Sequence, residues 1–296
     1  MKLLALVLGA QGQLGEAMSA QLGARHEVVA YGRAELDVTA VPDVQSAVSS
    51  LCPDVIVNCA AYTRVDDAEE HPTEALAVNA WAVRTLAELA ASLDATLVHF
   101  STDFVFDGET DRPYVEEDPA NPQGAYAASK LLGEWLAAEA PRHYVLRVES
   151  LFGGQRPASS VDRMLDAIDA GAEVRAFVDR TVSPSYVEDV VAATDALLTA
   201  SKPYGLYHCV NAGWTSWSGI AHELARLAGR PDAVISEVRM ADVTLRAPRP
   251  RCAALSNAKL TRTGIAMPTW QDALARYVAE RATIARPPTR AGRGRR

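Results

Sequence analysis

The sequence of 296 residues predicts an α/β fold: a doubly wound parallel sheet with a smaller C-terminal α/β lobe. Three observations predict it. Continuous apolar strand candidates alternate with helix candidates through the first half, the pattern of a parallel sheet covered on both faces. A glycine turn joins the first strand candidate to the first helix candidate. Beyond about residue 155 the alternation gives way to short strands mixed irregularly with helices.

Taken in order, "LLALVL" (3–8) is an apolar strand, and "LGEAMSAQLGA" after the glycine turn is a helix. "EVVAY" (27–31) is the second strand, followed by a helix over Val41–Leu51. "DVIVNCA" (54–60) is the third strand. "PTEALAVNAWAVRTLAELAASL" carries apolar residues at spacings of three and four and reads as one long helix. "ATLVHFST" (95–102) is the fourth strand, "AYAASKLLGEW" (125–135) the next helix, and "HYVLRVESLFG" the fifth strand. In the second half "EVRAF", "GLYHCV" and "AVISEV" are short strands, and "SGIAHELARLAG" and "QDALARYVAER" are helices. These readings give a dinucleotide-binding domain over 1–155, to which some later strands return, and a mainly substrate-binding lobe over 156–285. The basic, Pro- and Gly-rich "RPPTRAGRGRR" (286–296) is expected to be a disordered tail.

Composition narrows the function. With 49% hydrophobic and 22% charged residues the chain can bury a core, and a net charge of -8 with a pI near 5.3 lacks the basic footprint of a nucleic-acid binder. No apolar run approaches the ~18 residues of a spanning helix, so a soluble protein with no membrane partner is expected. Four cysteines without C-x-x-C spacing point to free thiols in a reducing cytoplasm, and six scattered histidines give no metal site.

The turn "GAQGQLG" (Gly9–Gly15) fits G-x-x-G-x-x-G between strand and helix. There, backbone N–H groups and a helix N-terminus face a pyrophosphate that any side chain would block. An acid at the tip of the second strand would select NAD; the tip here is Tyr31-Gly32-Arg33, and a guanidinium suits the 2′-phosphate of NADP. NADPH is therefore the expected cofactor, with NADH possible as a substitute. Asp37 and Val38 lie farther on, where an adenine would rest.

Tyr126 stands four residues before Lys130, so on a helix they share a face. A phenol near pKa 10 is a poor acid–base group at neutral pH; a nearby ammonium and a positive nicotinamide ring would lower it. Ser101, Thr102 and Asp103 end the fourth strand, at the edge where open parallel sheets bind ligands. The bland alternatives are an amphipathic helix with a polar edge and a threonine that merely caps a turn.

The glycine turn, "VNCAAYTRVDDAEE", "STDFVFDG", "AYAASKLLGE" and "RPRCAALSNAKL" together resemble an extended short-chain dehydrogenase/reductase, most nearly the dTDP-4-dehydrorhamnose reductases. The resemblance covers residues 1–282 and implies a Rossmann-like fold and a catalytic set of Thr102, Tyr126 and Lys130, with Lys130 also reaching the nicotinamide ribose. It places Gly9, Gln11, Gly12, Gln13, Leu14, Ala60, Ala61 and Tyr62 on the cofactor, beside Arg33, Asp37 and Val38, expected there from their place after the second strand. It also matches Asn79, counted with these contacts, to an asparagine that supports such active sites, although a helix kink would serve as well. It places Val65, Thr102, Asp103, Phe104, Tyr126, Ser150 and Arg249 on the substrate, Arg249 holding its nucleotide or diphosphate. The implied activity is NADPH-dependent reduction of the C4 ketone of a nucleotide-linked, dTDP-type 4-keto-6-deoxyhexose by a monomer or homodimer.

Departures from the family pattern fall on the sugar side. Phe104 stands where a tyrosine is usual, Ser150 where a tryptophan is usual, and "RPRCAAL" lacks an expected serine. The sugar is thus expected to differ from the rhamnose precursor. A nucleotide-sugar epimerase or dehydratase is the alternative enzyme, although a dehydratase would carry Asp-Glu after the threonine and this chain has Asp103-Phe104. A regulatory subunit of the methionine adenosyltransferase type is the non-catalytic alternative, and it would not need to keep Thr102, Tyr126 and Lys130.

Overall fold

The computed structural model describes residues 2–155 and 159–285; the tail expected over 286–296 lies outside the described residues. In chain order the first half runs β1 (Leu4–Leu8), α1 (Gln13–Gly23), β2 (Glu27–Tyr31), α2 (Val41–Leu51), β3 (Val55–Asn58), α3 (Val65–Ala68), α4 (Pro72–Leu76), one π-helical turn (Ala77–Trp81), α5 (Ala82–Ser92), β4 (Thr96–Thr102), α6 (Ala125–Ala137) and β5 (His143–Val148). The second half adds β6 (Leu151–Phe152), α7 (Ser160–Asp169), β7 (Val174–Phe177), β8 (Thr181–Val182), β9 (Ser185–Tyr186), α8 (Val187–Thr199), β10 (Gly205–His208), β11 (Thr215–Ser216), α9 (Trp217–Leu227), β12 (Ile235–Val238), α10 (Ala258–Arg262) and α11 (Trp270–Ala285).

Six strands form one parallel sheet in the order β10-β5-β4-β3-β1-β2. The alternation along β1 explains its two-sided cover, because successive side chains point to opposite faces. Ala5 and Val7 meet Leu14, Met18 and Leu22 of α1 and Val190 and Val191 of α8. Leu6 and Leu8 meet Val44 and Val48 of α2 and Val83 and Leu86 of α5. Full burial of each large side chain contributes about 1.5–3 kcal/mol, so both faces are held by many such terms. A third cluster, with Phe152, Val161, Ile168, Trp217, Leu224 and Tyr277, packs elements of the second half against one another.

Two expected elements are altered. The fifth strand ends at Val148 because Ser150 takes φ 47°, a left-handed conformation that breaks the strand before the short β6. The long helix contains the π-helical turn at Ala77–Trp81, an insertion that periodicity alone does not reveal. The strands' carboxyl ends come to one edge: Leu8 is in register with Tyr31 and Asn58, and Thr102 with Val148. The chain leaves β1 for β2 on one side and returns for β3 on the other, which opens a crevice beyond β1 and β3. None of the described helices is long and apolar enough to cross a membrane.

Candidate active site

Gly9 leaves β1 with φ 73°, and a Cβ there would sit 2.6 Å from the Ala60 nitrogen. Only glycine permits this approach of the first turn to the end of β3. Gly12 closes the turn by donating to the Gly9 carbonyl at 3.0 Å, and α1 begins at the next residue. A cavity of about 230 Å³ opens over this turn, lined by Gly9, Gln11, Gly12, Arg33, Asp37, Val38, Ala60, Ala61 and Tyr62. The cradle therefore fits a dinucleotide pyrophosphate at a helix N-terminus, with no side chain in the way.

The tip of β2 is more acidic than its first three residues suggest. The Glu35 carboxylate accepts from Gly32 N at 2.6 Å and Gln11 Nε2 at 3.5 Å. Arg33, 85% exposed, pairs with Asp37 at 3.3 Å, while Thr39 donates to the same carboxylate and holds it below its ordinary range.

A second cavity of about 640 Å³ shares Gly12, Cys59 and Ala61 with the first, so the two form one groove along the sheet edge. Gln13, Leu14, Val65, Thr102, Asp103, Phe104, Tyr126, Lys130, Ser150 and Arg249 all line it. Tyr126 and Lys130 lie buried on α6, and Thr102 ends β4 beside them. The Thr102 hydroxyl donates to Asp103 Oδ1 at 2.8 Å and accepts from Phe104 N at 3.3 Å. Phe104 meets the Tyr126 ring edge-on at 5.6 Å.

The electrostatics correct one expectation. Lys130 does not lower the Tyr126 phenol: burial, then the Asp103 carboxylate, push the phenol above its usual value, and only Thr102 pulls it down. The Lys130 ammonium instead donates to the Phe100 carbonyl at 2.6 Å. Burial brings Lys130 down to about 8, with Glu134 opposing. Burial also raises Asp103 to about 6, against the pull of Arg180, Thr102 and Arg249.

Asn79 is the second correction. Fully buried in the π-helical turn, it lines neither cavity. Its Oδ1 accepts from Tyr62 N at 2.8 Å, and its Nδ2 donates to Tyr62 O and to Ser129 Oγ at 3.0 and 2.9 Å. Ser129 in turn donates to the Tyr126 carbonyl at 2.7 Å, so Asn79 ties the cavity wall to α6 from behind. The close approach requires Gly133, where a Cβ would lie 2.0 Å from the Asn79 carbonyl.

Arg249 reaches the cavity but is already engaged, with Asp66 at 3.0 Å and the Ala247 carbonyl at 3.1 Å. Two groups escape sequence reasoning, Arg180 on the cavity wall and Glu149 buried in the chain between Val148 and Ser150, which line it. Arg180 lies between β7 and β8 in a stretch with no periodicity, and Glu149 reads as an ordinary strand residue. Glu149 is buried, burial and Asp103 hold its carboxyl well above the usual range, and it accepts from Ser183 N at 2.6 Å. An "R" and an "E" beside apolar strands are the only signals either residue offers.

The family model described as "RmlD substrate binding domain" matches residues 1–283. The chain belongs to this family. The chain is 35% identical over 286 residues to the dTDP-4-dehydrorhamnose reductase of Sinorhizobium fredii, covering 92% of this chain and 95% of that protein. It is 34% identical over 291 residues to a probable dTDP-4,6-dihydroxy-2-methyloxan-3-one 4-ketoreductase of Streptomyces antibioticus, with 97% and 98% covered. Among solved structures, a dTDP-4-dehydrorhamnose reductase from Bacillus anthracis in complex with NADP superposes with a TM-score of 0.90 at 30% identity, over 95% of this chain and 100% of that one. The family's Rossmann-like parallel sheet is thus the fold described above, and its members named here are oxidoreductases.

Proposed function

We propose that the protein uses NADPH to reduce the C4 ketone of a nucleotide-linked 4-keto-6-deoxyhexose, dTDP being the nucleotide. The observation that carries this reading is the single groove in which Thr102, Tyr126 and Lys130 face a cavity of about 640 Å³ continuous with the glycine-turn cradle. The relatives from Sinorhizobium, Streptomyces and Bacillus support it. When bound, NADPH supplies the hydride for C4.

The chain's own residues do the rest. Gly9, Gly12 and the start of α1 hold the pyrophosphate, and Ala60, Ala61 and Tyr62 wall the cradle. Tyr126 keeps its proton at neutral pH because its site disfavours the phenolate, and so stands ready to donate it from Oη to the carbonyl oxygen. The Thr102 hydroxyl, by turning its proton from Asp103 Oδ1 to the substrate, fixes the same oxygen. Lys130, at about 8, remains mostly an ammonium at neutral pH and keeps positive charge on the wall of the groove. General acid catalysis of this kind is typically worth ~10²–10⁴-fold. The enzyme works in the cytoplasm, consistent with four free cysteines, as a monomer or homodimer.

The test is NADPH consumption with a panel of dTDP-4-keto-6-deoxyhexoses. Stoichiometric oxidation with at least one of them is expected. Turnover of a nucleotide sugar without net NADPH loss would instead assign an epimerase.

A further inference from the structure

Resting on that reading, we propose that Arg180 is the residue that seizes the substrate's diphosphate and thereby selects nucleotide-linked sugars over free ones. Its position is the first argument. A third cavity of about 330 Å³, walled by Met164, Phe177 and others of the second half, shares Ser160, Arg163, Arg180 and Trp217 with the catalytic cavity. A sugar and a nucleoside joined by a diphosphate have the same layout: two bodies and an anionic link. Arg180 stands where the link must pass.

Its pairing is the second argument. A guanidinium has five N–H donors. Arg180 uses its Nε on the Pro250 carbonyl at 3.3 Å, lies 5.8 Å over the Phe104 ring, and makes no ion pair within 4.0 Å among the described residues. Arg249, 5.6 Å over the same ring, is held by Asp66 at 3.0 Å. Arg163, also at the junction, donates to Ser160 Oγ at 2.9 Å.

Charge is the third argument. Burial and the neighbouring Arg249 charge both disfavour the Arg180 cation, while Asp103 and Glu149 favour it from beyond ion-pair distance. Arg180 is only half-buried and lines both cavities, so its open donors face space that an anion can enter. A diphosphate, with charge for both guanidiniums and oxygens for a bidentate fork, is the chemistry that fits there.

The full chain is titrated with dTDP, thymidine and NADPH, as wild type and as Arg180→Gln and Arg180→Lys. The expected result is dTDP binding weakened ~10–100-fold in Arg180→Gln, the range of charge-assisted hydrogen bonds, and less in Arg180→Lys. Thymidine and NADPH affinities should stay within about twofold. With the nucleotide sugar, KM should rise in step while kcat at saturation changes little. NADPH binding reports that each variant is folded; if Arg180→Gln lacks it, Arg180→Lys decides by the same dTDP measurement. A folded variant that binds dTDP as the wild type does overturns the Arg180 assignment and leaves the function standing. A wild-type protein that binds no dTDP overturns both.

Discussion

The ammonium of Lys130 is bound to the carbonyl oxygen of Phe100 at 2.6 Å, two residues before the threonine that ends β4. α6 is therefore pinned to the strand that carries Thr102, and the charge is stored there without touching the phenol. Lys130→Met keeps the stem and deletes the charge. The wild-type kcat profile should fall on the basic side near pH 8, the value to which burial brings Lys130. The variant should turn over more slowly, bind NADPH more weakly and lose that limb. A pH profile of kcat with parallel NADPH titration checks this; an unchanged limb assigns it elsewhere.

Tyr126→Phe removes one hydroxyl from a buried ring that keeps its contact with Phe104. Stability should stay within ~1 kcal/mol and NADPH should still bind. Turnover should drop ~10²–10⁴-fold. Melting curves, titration and kcat separate the roles, and near-normal kcat would remove Tyr126 from the chemistry.

Asp103 gives a pH test of stability. Its carboxyl ordinarily titrates at 3.8 and is raised to about 6 in the fold, so the folded state binds the extra proton between those values. That contribution is fully present below pH 3.8 and is lost as pH rises through about 6. Asp103→Asn, which cannot ionise, should melt higher than wild type above pH 6 by the equivalent of about 1–3 kcal/mol. The two proteins should converge near pH 4. Parallel melting curves at every pH would contradict this account.

Arg33 is exposed and pairs with Asp37, while Glu35 occupies the tip of β2. Arg33→Ala should weaken NADPH by about 1 kcal/mol, a single exposed charge-assisted contact, and leave NADH nearly unchanged. Glu35→Gln should move preference further toward NADPH by removing a carboxylate from the same rim. Titration of both cofactors decides it, and equal losses would take the 2′-phosphate away from Arg33.

On the sugar side, Phe104 packs on Tyr126 and Ser150 lines the cavity with a left-handed backbone. A small residue there leaves space where the family usually carries tryptophan. The enzyme should accept a shifted or broader range of 4-ketosugars than the rhamnose precursor, and Ser150→Trp should narrow it. A hundredfold wild-type preference for the rhamnose precursor across the substrate panel, ~3 kcal/mol of discrimination, would disprove this.

The elements legible without a structure are those that periodicity carries. β1 to β5 are runs of apolar residues, and the glycine turn sits between two of the clearest elements, so the sheet and the cradle are both visible in the sequence. Three-and-four spacing also carries the long helix, but a π-helical turn adds a residue per turn and rotates the side chains beyond it. Asn79 lies within that turn and faces Tyr62 and Ser129 instead of the groove. Arg180 is hidden for a different reason. It lies outside any periodic segment, and the pairing of β8 with β11 and the bridge from Thr181 to Cys252 fix its segment against distant parts of the chain. Lys130 and Tyr126 are legible as a pair, but their electrostatics depend on burial and on Asp103, which spacing does not report.

The placement of β10 beside β5, with α8 against α1, has a bearing on recombination between relatives. A chimera that joins one protein's residues up to the end of β5 to another's remainder would import a foreign edge strand and a foreign covering helix along with the intended specificity. Met18 and Leu22 of one parent would have to fit Val190 and Val191 of the other. Grafts that exchange the stretches around Ser150, Arg180 and Arg249 while keeping residues 187–208 with their native sheet would avoid that mismatch.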